Sequence, residues 1–375
     1  MATDMAINVA IDRRSLLIGS LTMLAARPFS APAFAAGEAI AFVSASKHAD
    51  GRYSVLLLSV DGAILRDVPL SARGHDIAIH GPSGRAVAFA RRPGTFAVAF
   101  TTMTNAPPVV FAAAADRHFY GHGVFSLDGR LLYVSENDIR GARGVIGIYD
   151  VASNYKKIGE HPSHGVGPHE IILLSDGKTL AVANGGLDTV PDFDRVDLNR
   201  DAMQPSLTFV DAASGALRAK HVLPDSLRQL SIRHIVADAN GAVWFGAQWE
   251  GGPSETPQLI GCAGRDRAIT LIDPPERNRV DLKGYVGSVA ASRDGSVIAA
   301  SAPKAGRIVF IDSASGAIKA ASDFRDVCDI AGDHDAVFAT TSGFGVLRHE
   351  RPGAAPISQA ELQDIAFDNH LRRWG

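Results

Sequence analysis

The sequence is poor in several features that would mark it as a scaffolded, anchored or polyanion-binding chain. Only two cysteines, Cys262 and Cys328, occur in 375 residues. That count excludes a disulfide framework, although the two could pair in an oxidising compartment. After the N-terminal segment no apolar run approaches the ~20 residues needed to span a bilayer, so no membrane span is expected. The formal net charge is −3 and no block of Lys and Arg stands out, which argues against nucleic acid or an anionic membrane surface as partner. Missing too are a Gly-x-Ser-x-Gly elbow, a phosphate-binding Walker loop, His-Glu-x-x-His and Cys-x-x-Cys-His. Their absence removes the commonest hydrolase, nucleotide, zinc-protease and haem-attachment readings. Aromatic residues are only 7%, whereas glycine numbers 37, a balance that suits a turn-rich all-β chain.

What is present begins with a leader. Asp12-Arg13-Arg14-Ser15 is followed by an apolar stretch from Leu16 to Ala26 and by Ala33-Phe34-Ala35-Ala36, an Ala-x-Ala processing site. Paired arginines, a short apolar region and a cleavage site in that order predict a twin-arginine signal peptide over 1–36. The domain proper is then 37–375, exported to the periplasm already folded.

A phrase recurs through that domain: a small apolar strand, a polar turn ending in glycine, and a second apolar strand. It reads Ser126-Leu-Asp-Gly129, Ser175-Asp-Gly177, Asp238-Ala-Asn-Gly241 and Ser292-Arg-Asp-Gly295 at the turns. Asp-Gly and Asn-Gly between apolar runs are strong hairpin signals because the turn needs φ > 0. Third strands follow at Ile146–Asp150, Leu207–Asp211, Ile269–Asp273 and Ile308–Asp312, and Asp-x-x-Ser-Gly opens a fourth at 211 and 312. Four strands in each unit of about forty to fifty residues predict a β-propeller. Six full units begin near 74, 122, 168, 233, 287 and 327, and the N-terminal segment supplies three more strands. The C-terminal Gln363–Asp368 supplies the missing one, so the expectation is a seven-bladed all-β propeller closed by a C-terminal strand in the first blade.

The residue before each first strand is, in blade order, His75, His122, His169, His234, Gly287, Cys328 and Gln363. First strands line the channel of a propeller, so these positions form a ring, expected here at one mouth. Imidazole and thiolate are transition-metal ligands, and a lone histidine would be read as an ordinary packed side chain. Four at one repeat position predict a metal ring of His75, His122, His169 and His234, with Cys328 as a further candidate unless it pairs with Cys262. The breadth of a seven-fold ring raises the question whether four ligands can reach one ion. Glu136, Asn137 and Glu170 are candidates to orient the imidazoles, and Arg233, with Arg73, Arg140 and Arg195, to bind substrate or anion. Long second-to-third-strand loops are expected beside the ring at 136–144, 184–205 and 248–267. The middle one carries Asp188, Asp192, Asp194, Asp197 and Asp201 without calcium-loop spacing, and reads as a solvated lid.

Phe119-Tyr-Gly-His122-Gly, Tyr133-Val-Ser-Glu-Asn-Asp138, Gly167-Pro-His-Glu170, Asn184-Gly-Gly, Leu230-Ser-Ile-Arg-His234 and Asp368-Asn-His370 together resemble a family of exported bacterial propellers. That family is catalogued as a domain of unknown function, and its genes often lie near imelysin-type iron-uptake proteins. The resemblance covers the whole mature chain. It implies a periplasmic, iron-linked role with iron-uptake proteins as partners, and it brings no assigned catalytic residues. Three functions stay open: a carrier of iron or copper, a metal-dependent oxidoreductase or lyase using the same site, and an interaction scaffold without metal.

Overall fold

The Asp-Gly and Asn-Gly pairs close hairpins. In the computed structural model, which describes residues 39–91, 94–188, 199–272 and 281–375, Gly129, Gly177, Gly241 and Gly295 have φ of 67°, 64°, 78° and 70°. A side chain at those positions would force a left-handed backbone on an L-residue. In the same way Asp211 and Asp312 hold the turns into the fourth strands, each accepting from the backbone and hydroxyl of a serine three residues on. The expected leader, 1–36, lies outside the described residues, as do Asp192, Asp194, Arg195 and Asp197.

Pairing these hairpins gives seven four-stranded antiparallel sheets. Blade 1 holds Phe42–His48, Tyr53–Leu58 and Ile64–Leu70, and its innermost strand is the C-terminal Ile365–Arg373. The innermost strands of blades 2 to 7 are Gly74–His80, Arg117–Phe125, Pro168–Leu173, Leu230–Ala237, Ser288–Ala291 and Val327–Gly332. Each touches its neighbours, and the C-terminal strand touches the first strands of blades 2 and 7, so the ring closes. The seven-bladed all-β propeller with C-terminal closure is therefore the fold. Apolar residues fill the space between blades; Trp244, Phe209, Phe245, Val286 and Ile298 form part of the largest cluster. Among the described residues no helix is long and apolar enough to cross a membrane.

Two loop expectations are corrected. Residues 136–144 form no long loop, because Leu131–Asp138 pairs with Arg143–Asp150 to its end and Arg143 is opposite Asp138. In blade 5 the third strand is the glycine-containing Ile260–Gly264, and the Ile269 segment belongs to the fourth, Arg267–Leu271. Ile260-Gly-Cys-Ala-Gly lacks the β-branched alternation that marks a strand, yet it is buried between two partners.

The innermost strands carry a further feature. In blades 1, 2, 3, 4, 5 and 7 their pairing with the next strand is interrupted by a bulge at 368–370, 75–76, 120–122, 169, 233 and 328–329. Blade 6 pairs regularly from Ser288 to Ala291. A bulge bends the strand and re-aims its side chains. Here it turns them toward the channel axis.

Candidate metal centre

The bulges bring five imidazoles together. His75, His122, His169, His234 and His370 are each 9% exposed or less. Their rings pack mostly edge to face: centroids are 4.8 Å apart for His75–His122 and for His122–His370, and 4.9 Å for His122–His169 and for His169–His234. In blades 2 and 4 the histidine is the second residue of the innermost strand, as expected, whereas in blades 1, 3 and 5 it is the fifth or sixth. The channel is narrower than the ring count suggests: ligand atoms of His75, His122 and His169 lie within 4.8 Å of one another, as do those of His122, His234 and His370.

His370 takes the blade 1 position that the repeat alignment gave to Gln363. The cue is in the sequence: Phe367-Asp-Asn-His370 repeats the spacing of Phe119-Tyr-Gly-His122. In both strands the aromatic precedes the bulge and the histidine ends it. Aligning on Asp-Ile-Ala hid the match, since a bulge inserts residues that a fixed register does not allow for.

Carboxylates stand behind the second trio. Nδ1–H of His122 donates to Asp76 at 2.9 Å, and Nδ1–H of His234 donates to Glu170 at 3.2 Å. Nδ1 of His370 faces Asp329 at 3.6 Å. An ionised carboxylate only accepts, so it fixes the proton on Nδ1 and leaves Nε2 with its lone pair. That is the orientation of a metal-bound histidine with its carboxylate support. Nε2 of His122 and of His370 are buried with no hydrogen-bond partner in the protein, as are Nδ1 of His75 and His169. Buried polar nitrogens are nearly always satisfied, and a cluster left unsatisfied fits an ion as the common partner. Glu170, a candidate from the sequence, thus sits against the His234 imidazole, while in the sequence Asp76 and Asp329 read only as ordinary members of the Asp-Ile-Ala repeat.

Electrostatics keep the pocket ready for a cation. Burial, reinforced by neighbouring imidazoles, holds His75 and His169 well below the usual histidine range. Burial lowers His234 to about 4 against the pull of Glu170. His370 goes the other way: burial disfavours its charge, but Asp329 and Asp76 more than offset that. Arg372 spans the carboxylates behind the site, donating to Asp76 at 2.7 Å and to Glu170 at 2.6 Å. Although burial opposes their charge, its guanidinium holds both acids below the usual carboxylate range.

The remaining sequence candidates are placed elsewhere. Cys328 joins neither trio; its Sγ lies 3.5 Å from the carbonyls of Asp326 and Phe367, and burial pushes the thiol up. The bulge turns the next residue, Asp329, to the site instead. Cys262 and Cys328 are both free thiols. Glu136 accepts from Tyr149 Oη at 2.6 Å and Lys157 Nζ at 2.8 Å within its own blade, away from the imidazoles. Asn137 reaches Asp188 of the blade 4 loop at 3.5 Å. Arg233 does line a cavity beside His75, His169 and His234, and is held by Ser231 and Glu250. Arg73 and Arg140 are paired with Asp368 and Asp116.

Among solved structures the chain resembles the hydrazine synthase of Kuenenia stuttgartiensis, with a TM-score of 0.63 and 13% identity over 88% of this chain and 100% of that one. A chain of the mitotic checkpoint complex gives a TM-score of 0.56 and 12% identity, over 77% of this chain and 80% of that one. At such identities the likeness shows the propeller fold alone. No curated protein matches the sequence. A family described as "Protein of unknown function (DUF1513)" matches residues 68–374, and the chain belongs to that family.

Proposed function

We propose that this propeller binds a transition-metal ion in its channel and handles iron or copper in the periplasm. One observation carries the metal: three imidazoles from blades 1, 3 and 5 face one another within 4.8 Å, each backed by a carboxylate. A nitrogen-only donor set suits Fe(II), Cu(II), Ni(II) or Zn(II). The twin-arginine leader supports export of a folded, ion-loaded protein, and the iron-uptake resemblance favours iron and periplasmic iron-uptake proteins as partners. Chelator-stripped protein, incubated with Fe(II) or Cu(II) and desalted, should retain metal by elemental analysis. The double variant His122→Ala, His370→Ala should retain none. A wild-type protein that recovers no metal, or a double variant that binds as well, would overturn the proposal.

A second reading, a metal-dependent enzyme at the same centre, is favoured by the cavity against His75, His169 and His234. Its volume of about 30 Å³ holds a water or a molecule of similar size. A coordination position open to solvent is what separates catalytic from purely structural sites. Turnover of a small oxidant by the loaded protein, lost in the double variant, would select it.

A further inference from the structure

We infer, building on the metal-binding function proposed above, that the channel seats a single divalent cation among His122, His234 and His370, and that the cation enters past His75 and His169.

Three observations lead there. The two histidine trios share His122. Its Nδ1 is committed to Asp76, so one nitrogen must serve both trios and they cannot each hold an ion at once. The trios also differ in support. His122, His234 and His370 each face a carboxylate, whereas among the described residues neither His75 nor His169 pairs with one. A carboxylate behind an imidazole raises its basicity and locks its ring, so the supported trio is the resting seat.

The path is set by the two ends of the channel. His75 and His169, with His234 of the seat itself, border the cavity that also meets Arg91, Arg233 and Tyr120, on the side where the innermost strands begin. At the other end Arg372 bridges Asp76 and Glu170 behind the imidazoles. The cavity of about 220 Å³ there is lined by Ile77, Ile79, Ile171 and Ile172 together with Asp76, Glu170, Arg372 and Arg373. No histidine lines it, so a cation on that side meets no imidazole nitrogen, only carboxylates already bridged by Arg372. On the histidine side the unpartnered nitrogens of His75 and His169 can replace its waters one at a time.

Charge sets the valence. Asp76, Glu170 and Asp329 are buried around the seat, and Arg372 offsets one of the three, leaving two negative charges. Neutral imidazoles add none. A divalent ion is thereby balanced, while Fe(III), a hard ion that favours oxygen donors, is not.

The test uses the stripped full-length protein with Cu(II), Fe(II) and Fe(III)-citrate, read by elemental analysis, equilibrium titration and stopped-flow absorbance. The expected result is one Cu(II) or Fe(II) per chain and no uptake from Fe(III)-citrate. His75→Ala with His169→Ala should keep that stoichiometry and near-normal affinity, but load about tenfold or more slowly. His370→Gln should weaken equilibrium binding by about 100-fold, a large effect for loss of a ligand. His234→Gln, expected to behave alike, replaces it if melting shows His370→Gln to be unfolded. Two ions per chain, tight Fe(III) uptake, or a His75/His169 variant that loses affinity without slower loading would overturn the inference and leave metal binding standing. No binding of any ion by the wild type would overturn both.

Discussion

Asp76 and Glu170 each serve an imidazole and Arg372 at once. A change of charge at either residue therefore tests whether the carboxylates tune the site or only fill it. Asp76→Asn and Glu170→Gln preserve shape but can present an amide donor to Nδ1, which favours the wrong tautomer. Each should weaken Cu(II) binding by about 10–100-fold while the fold survives, as isothermal titration and circular dichroism would show. Arg372→Ala leaves two buried carboxylates without their cation and should cost about 3 kcal/mol in urea unfolding.

The histidines themselves dictate a pH dependence. The unfolded chain takes up protons near pH 6.5, whereas burial keeps His75 and His169 neutral to well below that and His234 to about 4. Between those limits the unfolded state binds more protons, so the stability of the metal-free protein falls as pH drops from about 6.5 toward 4. His370, raised by Asp329 and Asp76, has the opposite sign: its contribution is present at low pH and lost as pH rises through its folded value. With three groups against one, the melting temperature should decline on acidification from pH 7 to 4.5. A flat or rising profile would contradict the burial of neutral imidazoles.

Four of the five histidines were legible in the sequence because they recur at one repeat position. His370 was not, since its strand enters the bulge several residues after the Asp-Ile-Ala phrase. Cys328 looked like a ligand for the complementary reason: it holds the repeat position, but its bulge points Asp329 inward and leaves the thiol against backbone carbonyls.

At the scale of the element, the bulge is what converts a sheet into a site. In blade 3 it depends on Gly121, which has φ 99° and lies so close to the His75 ring that a Cβ would come within 2.5 Å of it. Gly121→Ala therefore meets a left-handed backbone and a steric clash together. It should destabilise the fold by about 1–3 kcal/mol and displace His75, slowing metal loading more than a distant glycine change of equal stability cost. Thermal melts alongside stopped-flow loading would separate the two effects. The strands themselves were readable from alternation and turn chemistry, as the correct placement of Ile308–Asp312 within Arg307–Asp312 illustrates. Ile260–Gly264 was missed because burial between two neighbours, not propensity, makes it a strand.

For the whole molecule, closure depends on Ile365–Arg373, which supplies the inner strand of blade 1 and touches the inner strands of blades 2 and 7. Truncation after Asp364 opens the ring and bares the edge of Phe42–His48. The product should be aggregated by size-exclusion chromatography and should bind no metal. In the intact protein, binding to the folded state alone raises stability by mass action, about 2.7 kcal/mol at free metal 100 times its Kd. Cu(II) should raise the melting temperature and a chelator reverse it; equal melting with and without metal would argue against a site formed by folding.

The same strand also carries His370 and Arg372. Until that strand docks, the channel lacks one of its five imidazoles and the guanidinium that joins Asp76 to Glu170. Closing the ring and completing the histidine cluster are therefore one event.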